Sequence, residues 1–172
     1  LSTRLLIALF GALLFGGVGL ADDIARIRRR SPLGLRRGTR LLLEAGAGAV
    51  VLVLLGANGC LAGGMALPGA GYVGLGVLAP LLWEADLVAL AESVRITDEM
   101  DGLCCGTAFA AMLGLMLCMT VLGWFPLAVF PAALAGALMA FLLWNFPPAK
   151  LRLGSVGSLF LAGALGCIPL CI

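Results

Sequence analysis

The chain has no histidine, a single tyrosine, and little charge: 12% of its 172 residues are Asp, Glu, Lys or Arg, about half the roughly 25% usual in soluble domains. Its six cysteines, at 60, 104, 105, 118, 167 and 171, form no Cys-x-x-Cys pair. With no histidine to complete a ligand set, zinc or iron–sulfur binding is not expected, and the thiols read as small apolar residues of helices. Internal repeats are lacking too. The most consequential absence is positional. No Asp, Glu, Lys or Arg occurs over residues 45–83 or 102–149, stretches of 39 and 48 residues. A membrane-spanning helix needs about 20 apolar residues, so each stretch is long enough to cross a bilayer and return.

What is present is apolar, at 62% of residues. A soluble domain of this size could not cover that much hydrophobic surface, so the expected class is an all-α integral membrane protein. Lipid forces the backbone to satisfy its own hydrogen bonds, which leaves helices or closed barrels. Long apolar runs without period-two alternation choose helices. The 25 glycines are compatible with membrane helices. We expect six spans in one transmembrane domain over 1–172, at about 5–21, 41–65, 71–91, 103–122, 128–144 and 156–172. Gly63-Gly64 with Pro68-Gly69, and Gly123-Trp124-Phe125-Pro126, mark the outer turns. A first residue of Leu is expected of a fragment or a processed product. Residues 5–21 resemble a signal peptide only superficially, because Asp22-Asp23 stands where small residues would be cleaved.

Nineteen of the twenty charged residues lie in three segments, 22–44, 84–101 and 150–152, with only Arg4 outside. The excess of Lys and Arg predicts that all three segments are cytoplasmic and that Arg4 is at the outer end of the first span. Asp22 and Asp23 sit where that span leaves the membrane, a costly place for carboxylates unless they are paired, hydrated or metal-bound. The arginines at 26, 28, 29, 30, 36, 37 and 40 serve topology and attraction to anionic lipid, and one or two of them suit phosphate, whose oxygens match the guanidinium fork. Asp98 and Asp101, three apart, share a face if helical. Opposite Asp22-Asp23 they would suit a hard cation such as Mg²⁺. The glycine-rich approach through Gly154 and Gly157 to the last span is a weak anion-binding signal. No nucleic-acid partner is expected.

Taken together, the segments resemble the polyprenyl-phosphate N-acetylhexosamine-1-phosphate transferases. The resemblance is carried by Gly19-Leu20-Ala21-Asp22-Asp23-Ile24-Ala25-Arg26, Gly34-Leu35 and Arg40-Leu41-Leu42-Leu43-Glu44. It continues in Ile96-Thr97-Asp98-Glu99-Met100-Asp101-Gly102-Leu103, in Asn145-Phe146-Pro147-Pro148-Ala149-Lys150, and in Leu153-Gly154-Ser155-Val156-Gly157-Ser158-Leu159. It implies transfer of a sugar-1-phosphate (phospho-N-acetylmuramoyl-pentapeptide or a relative) from a UDP-linked donor to undecaprenyl phosphate, with release of UMP and with Mg²⁺ as cofactor. The implied setting is the bacterial inner membrane among lipids, with a homodimer as an open expectation. Asp22 and Asp23 are then the catalytic acids and the tentative metal ligands. Arg26, Arg40, Asp98, Asp101 and Asn145 are the substrate-binding positions. Several positions depart from the pattern. Ser155 replaces the metal-binding aspartate, Glu92 and Arg95 replace asparagines, Glu99 replaces a glycine, and Arg152 replaces an aromatic. The histidine-rich loop of the family has no counterpart. The alternative is a non-catalytic membrane homologue that binds lipid phosphate or a partner. A small transporter fits less well, because its ionisable groups would lie near the bilayer midplane.

Overall fold

The computed structural model describes residues 2–29, 34–61, 63–67, 71–74 and 76–171. Six α-helices carry the fold: α1 Thr3–Arg29, α2 Arg37–Ala57, α3 Ala79–Thr97, α4 Leu103–Val121, α5 Phe125–Asn145 and α6 Gly154–Leu170. Between α2 and α3 lies an antiparallel hairpin of β1 Gly64–Leu67 and β2 Gly71–Gly74, with Gly64 opposite Gly74, followed by a short 3-10 turn Gly76–Leu78.

The helices differ from the expected spans at their ends. α1 continues eight residues past Ala21, so Asp22, Asp23 and Arg26 ride on helix rather than loop. At 27 residues it is about 40 Å long, more than the roughly 30 Å hydrocarbon layer. Its basic last turn, Arg26, Arg28 and Arg29, suits the negative end of the helix dipole. α2 stops at Ala57 instead of running to 65, because Asn58 bonds back to the Leu54 carbonyl at 2.8 Å and Gly59 turns left-handed at φ +64°. Residues 71–74 and 76–78, expected to open span 3, are strand β2 and the 3-10 turn instead, and the glycines at 71, 74 and 76 are poor helix formers. α3 begins only at Ala79, with Pro80 in its first turn, and runs on to Thr97. The expected Gly63-Gly64 turn is part of the hairpin arm, and Pro68-Gly69 lies outside the described residues.

By length and composition four helices can cross a membrane: α1, α2, α4 and α5. Of the other two expected spans, α3 carries Glu84, Asp86, Glu92 and Arg95, and α6 has only 17 residues. α6 is the centre of the bundle. Most of its residues from Ser155 to Leu170 are buried, with α1 along one side and α3 along another, while α4 and α5 pack on each other. Small residues allow the α1–α6 approach: a Cβ added at Gly163 would stand 2.8 Å from Phe15 Cβ and 3.0 Å from Ala12 Cα. Large apolar side chains such as Leu13, Val53, Val121, Val129 and Leu143 face outward, the surface a lipid phase would cover. All six cysteines are free thiols.

This up-and-down path brings the end of α1, the start of α2, the α3–α4 turn and the α5–α6 connection to one end of the bundle. At the other end Arg4 donates to the Cys171 carbonyl at 3.0 Å, and its guanidinium lies 4.1 Å over the Trp124 ring.

Candidate functional site

The three charged segments converge on the short stretch 149–156 that enters α6. Asp22 is completely buried, an expensive place for a carboxylate, and each of its oxygens has a partner. Oδ1 accepts the Leu35 amide at 2.8 Å; Oδ2 accepts the Ser155 hydroxyl at 2.8 Å and Arg26 Nη2 at 3.3 Å. Two glycines permit this packing. Gly34, at φ +58°, has room for no Cβ, which would fall 2.6 Å from Asp22 Oδ1. A Cβ at Gly19 would collide with the Ser155 carbonyl oxygen. Asp23 Oδ2 accepts the Val156 amide at 3.1 Å, so it caps the first turn of α6 from a neighbouring helix. The anion at this helix start is therefore a side chain of the protein itself.

Asp98 and Asp101 reach the same stretch from the α3–α4 turn. Asp98 is half-buried, and that burial pushes its carboxyl up to about 6, against the opposing pull of Arg152 and of the Gly154 amide. Asp101 accepts the Ala149 amide at 3.2 Å and Arg152 Nη2 at 2.8 Å, and these bonds hold its carboxyl below the usual carboxylate range. Asn145 is buried. Its Oδ1 accepts the Gly102 amide at 3.0 Å while its Nδ2 donates to the Leu151 carbonyl at 2.8 Å, stapling the second segment to the third.

On α2 and α3 a second network stands beside the first. Arg40, 5% exposed, binds Glu92 at 2.9 Å and lies 3.6 Å from the buried Glu44, while Arg95 binds the other Glu92 oxygen at 3.0 Å. Deeper along the same helix pair, the Glu84 carboxylate lies against Gly48, where a Cβ would stand 2.8 Å from it.

Between these networks opens a cavity of about 780 Å³. Its wall includes seven arginines, at 26, 29, 36, 37, 40, 95 and 152, against two acids, Asp98 and Glu99, together with Gly34, Leu35, Gly154, Ser155 and Ser158. A wall of this charge in a partly enclosed cavity focuses a positive field and suits phosphate. Of the residues expected at the site, Arg26, Arg40 and Asp98 line the cavity. Asp22 and Asp23 sit directly behind its wall through their bonds to Arg26, Ser155 and Val156. Asp101 and Asn145 hold the loops together. Sequence reasoning missed Arg29, Arg36, Arg37, Arg95 and Arg152 as wall residues. The first three belong to a run read mainly as topology and lipid attraction, with one or two phosphate binders left unassigned; Arg30 of that run lies outside the described residues, and the last two read as departures from a pattern.

The donors fit a divalent cation poorly. Among the described residues no three Asp, Glu, Cys or His side chains gather as a metal site. Both Asp22 oxygens are engaged, one Asp23 oxygen caps α6, and position 155 offers a neutral hydroxyl that itself donates to Asp22.

Comparison with known proteins gives the family of the chain. Relatives named phospho-N-acetylmuramoyl-pentapeptide-transferase include that of Clostridium kluyveri, 33% identical over 98% of this chain and 54% of its own length. Those of Lactiplantibacillus plantarum and Acaryochloris marina are 32% and 35% identical over 95% and 92% of this chain and 51% and 42% of theirs. The chain spans about half the length of the curated relatives it matches. The family model described as glycosyl transferase family 4 matches residues 5–172, and the chain belongs to that family.

Proposed function

We propose that the site transfers a sugar-1-phosphate from a UDP-linked donor to undecaprenyl phosphate in peptidoglycan precursor synthesis. The donor would be UDP-N-acetylmuramoyl-pentapeptide or a related UDP-sugar. The single observation that carries this reading is the arginine-walled cavity, drawn from all three charged segments, with two aspartates directly behind it. In the reaction an oxygen of the lipid phosphate attacks the sugar-bearing phosphorus of the donor, the bond to the UMP oxygen breaks, and UMP leaves as an anion. Such a reaction needs positioning and charge stabilisation more than covalent chemistry. Arginines suit that part, binding phosphate oxygens before and after the bond changes hands.

Asp23, whose Oδ1 lies 3.8 Å from Arg26 and 27% of whose side chain is exposed, is the better placed of the pair to take the proton of the lipid phosphate as its oxygen attacks. Asp22, sealed beneath Leu35 and Ser155, positions Arg26 and the entry to α6. Mg²⁺ is the cofactor the family resemblance implies. When bound it would supply Lewis-acid neutralisation of the diphosphate, but the donors of this chain do not complete a site for it, and no step here runs through it. The reading places the chain in the bacterial inner membrane with the charged end cytoplasmic, where both the nucleotide sugar and the lipid phosphate would meet it. A second reading, a homologue that binds lipid phosphate without turnover, is favoured by the complete engagement of Asp22.

The test is UMP release by the purified full chain in mixed micelles, with UDP-N-acetylmuramoyl-pentapeptide and undecaprenyl phosphate. Release is expected, with a fall of at least about a hundredfold in Asp23→Asn, the scale of losing an acid–base group. An absence of release while undecaprenyl phosphate still binds would favour the second reading.

A further inference from the structure

Seven arginines face two acids on the wall of this cavity, no three metal-ligating side chains gather among the described residues, and Arg26 stands where Asp22 and Asp23 meet the wall. Arg26 sits one turn beyond Asp22 and Asp23 on α1. Its Nη2 lies 3.3 Å from both Asp22 Oδ2 and Ser155 Oγ, and its Nη1 lies 3.8 Å from Asp23 Oδ1. One guanidinium thus reaches both carboxylates and the hydroxyl at position 155. A divalent cation shared by the two carboxylates would be forced against this fixed positive charge. Ser155 strengthens the arrangement, because its hydroxyl donates to Asp22 where a carboxylate would repel it.

A further observation points outward, to a ligand. The Nε of Arg26 and the Nε of Arg95, both on cavity-wall side chains, are buried without any acceptor in the protein. An unpaired buried N–H is costly, and a turn of either guanidinium would bring it out to an anion's oxygen in the basic cavity. The seven wall arginines, drawn from three segments, suit a group with several oxygens spread over two phosphorus atoms.

We propose that the cavity binds a diphosphate group through its arginines without a divalent cation, with Arg26 in the place between Asp22 and Asp23 that a cation would need. The inference deepens the function proposed above and rests on that reading for the ligand class, a nucleoside diphosphate or its pyrophosphate moiety.

Calorimetric titration of the full chain in nanodiscs tests it, using inorganic pyrophosphate and, separately, UDP, each first in excess EDTA and then in excess MgCl₂. Pyrophosphate affinity is expected to differ by less than about threefold between the two conditions, and in EDTA to fall at least about tenfold in Arg26→Gln. Ser155→Asp is expected to weaken binding in EDTA and to regain it with magnesium. Binding of either probe that requires magnesium overturns the inference and leaves the nucleotide-sugar reading standing. Pyrophosphate binding that survives EDTA, with no added affinity for UDP, upholds the inference and contradicts that reading. Binding of neither probe overturns both. The comparison of conditions uses the unaltered protein, so it decides the matter even where a variant fails to fold.

Discussion

At the scale of single residues, the site consists of carboxylates that hold the protein's own backbone and guanidinium groups in place. Asp98 adds a dependence on pH, because its burial outweighs the pull of Arg152 and of the Gly154 amide. Its folded carboxyl titrates at about 6 against an ordinary 3.8, so the folded state holds a proton that the unfolded state has released. The stability it contributes is therefore complete below the ordinary value and is lost as pH rises through about 6. Thermal unfolding of the apo protein should show a midpoint that declines over that window, and Asp98→Asn should flatten the decline. Asn145 gives a second prediction. Asn145→Ala leaves the Gly102 amide and the Leu151 carbonyl without partners, so it should cost about 1–3 kcal/mol by chemical denaturation. Much at this scale was legible beforehand. Asp22, Asp23, Arg26 and Asp98 stand out because nearly all the charge of the chain is confined to the segments that hold them. Asn145 was legible as a position and not as a staple, because nothing in its neighbours in the chain says that it reaches Gly102. The unpaired Glu84 beside Gly48 was equally hidden, since a charge near a helix end is ordinary until its packing partner is known.

At the scale of elements, the decisive contact is the close seam between α1 and α6. It puts Asp22 and Asp23 against the α6 start, and small residues make it possible. Gly163→Leu would drive a side chain into Phe15 and Ala12, and is expected to destabilise by about 1–3 kcal/mol or to separate the helices. Because the same seam sets the distance from Arg26 to Ser155, diphosphate binding should fall together with stability, and both can be read on one detergent-solubilised preparation. Apolar run length gave the six helices but misplaced the ends of three, α1, α2 and α3. The stretch from 58 to 78 is as uncharged as a span, yet Gly59 and Gly76 turn left-handed, and Gly64–Leu67 and Gly71–Gly74 pair as strands. Hydropathy cannot weigh that, because glycine counts as neutral on such a scale while costing about 1 kcal/mol in a helix interior. Likewise α6, short and rich in glycine and alanine, reads as one span among others. Its central place follows from packing, which depends on the shapes of its neighbours.

On the scale of the whole molecule, the charge pattern makes a topological claim. Residues 28, 99 and 150 belong to one end of the bundle, and Gly63 belongs to the other. In intact cells of a cysteine-free background, an impermeant thiol reagent should label Gly63→Cys and spare Arg28→Cys, Glu99→Cys and Lys150→Cys, with the pattern reversed in inverted vesicles. The gathering of the three segments was legible from the uncharged intervals alone, each long enough to go out and back. Which side chains face the cavity was not, because Arg95 and Arg152 earn their places only once α3 and α6 are set beside α1. The central claim is that the three segments make one phosphate-binding site. The most direct test is UDP binding to the full chain with one wall arginine removed from each segment in turn, as Arg29→Gln, Arg95→Gln and Arg152→Gln. A shared site predicts that each substitution weakens binding by about tenfold, the scale of one charge-assisted contact. Loss confined to one segment, with the other two variants binding as the unaltered protein does, would contradict it.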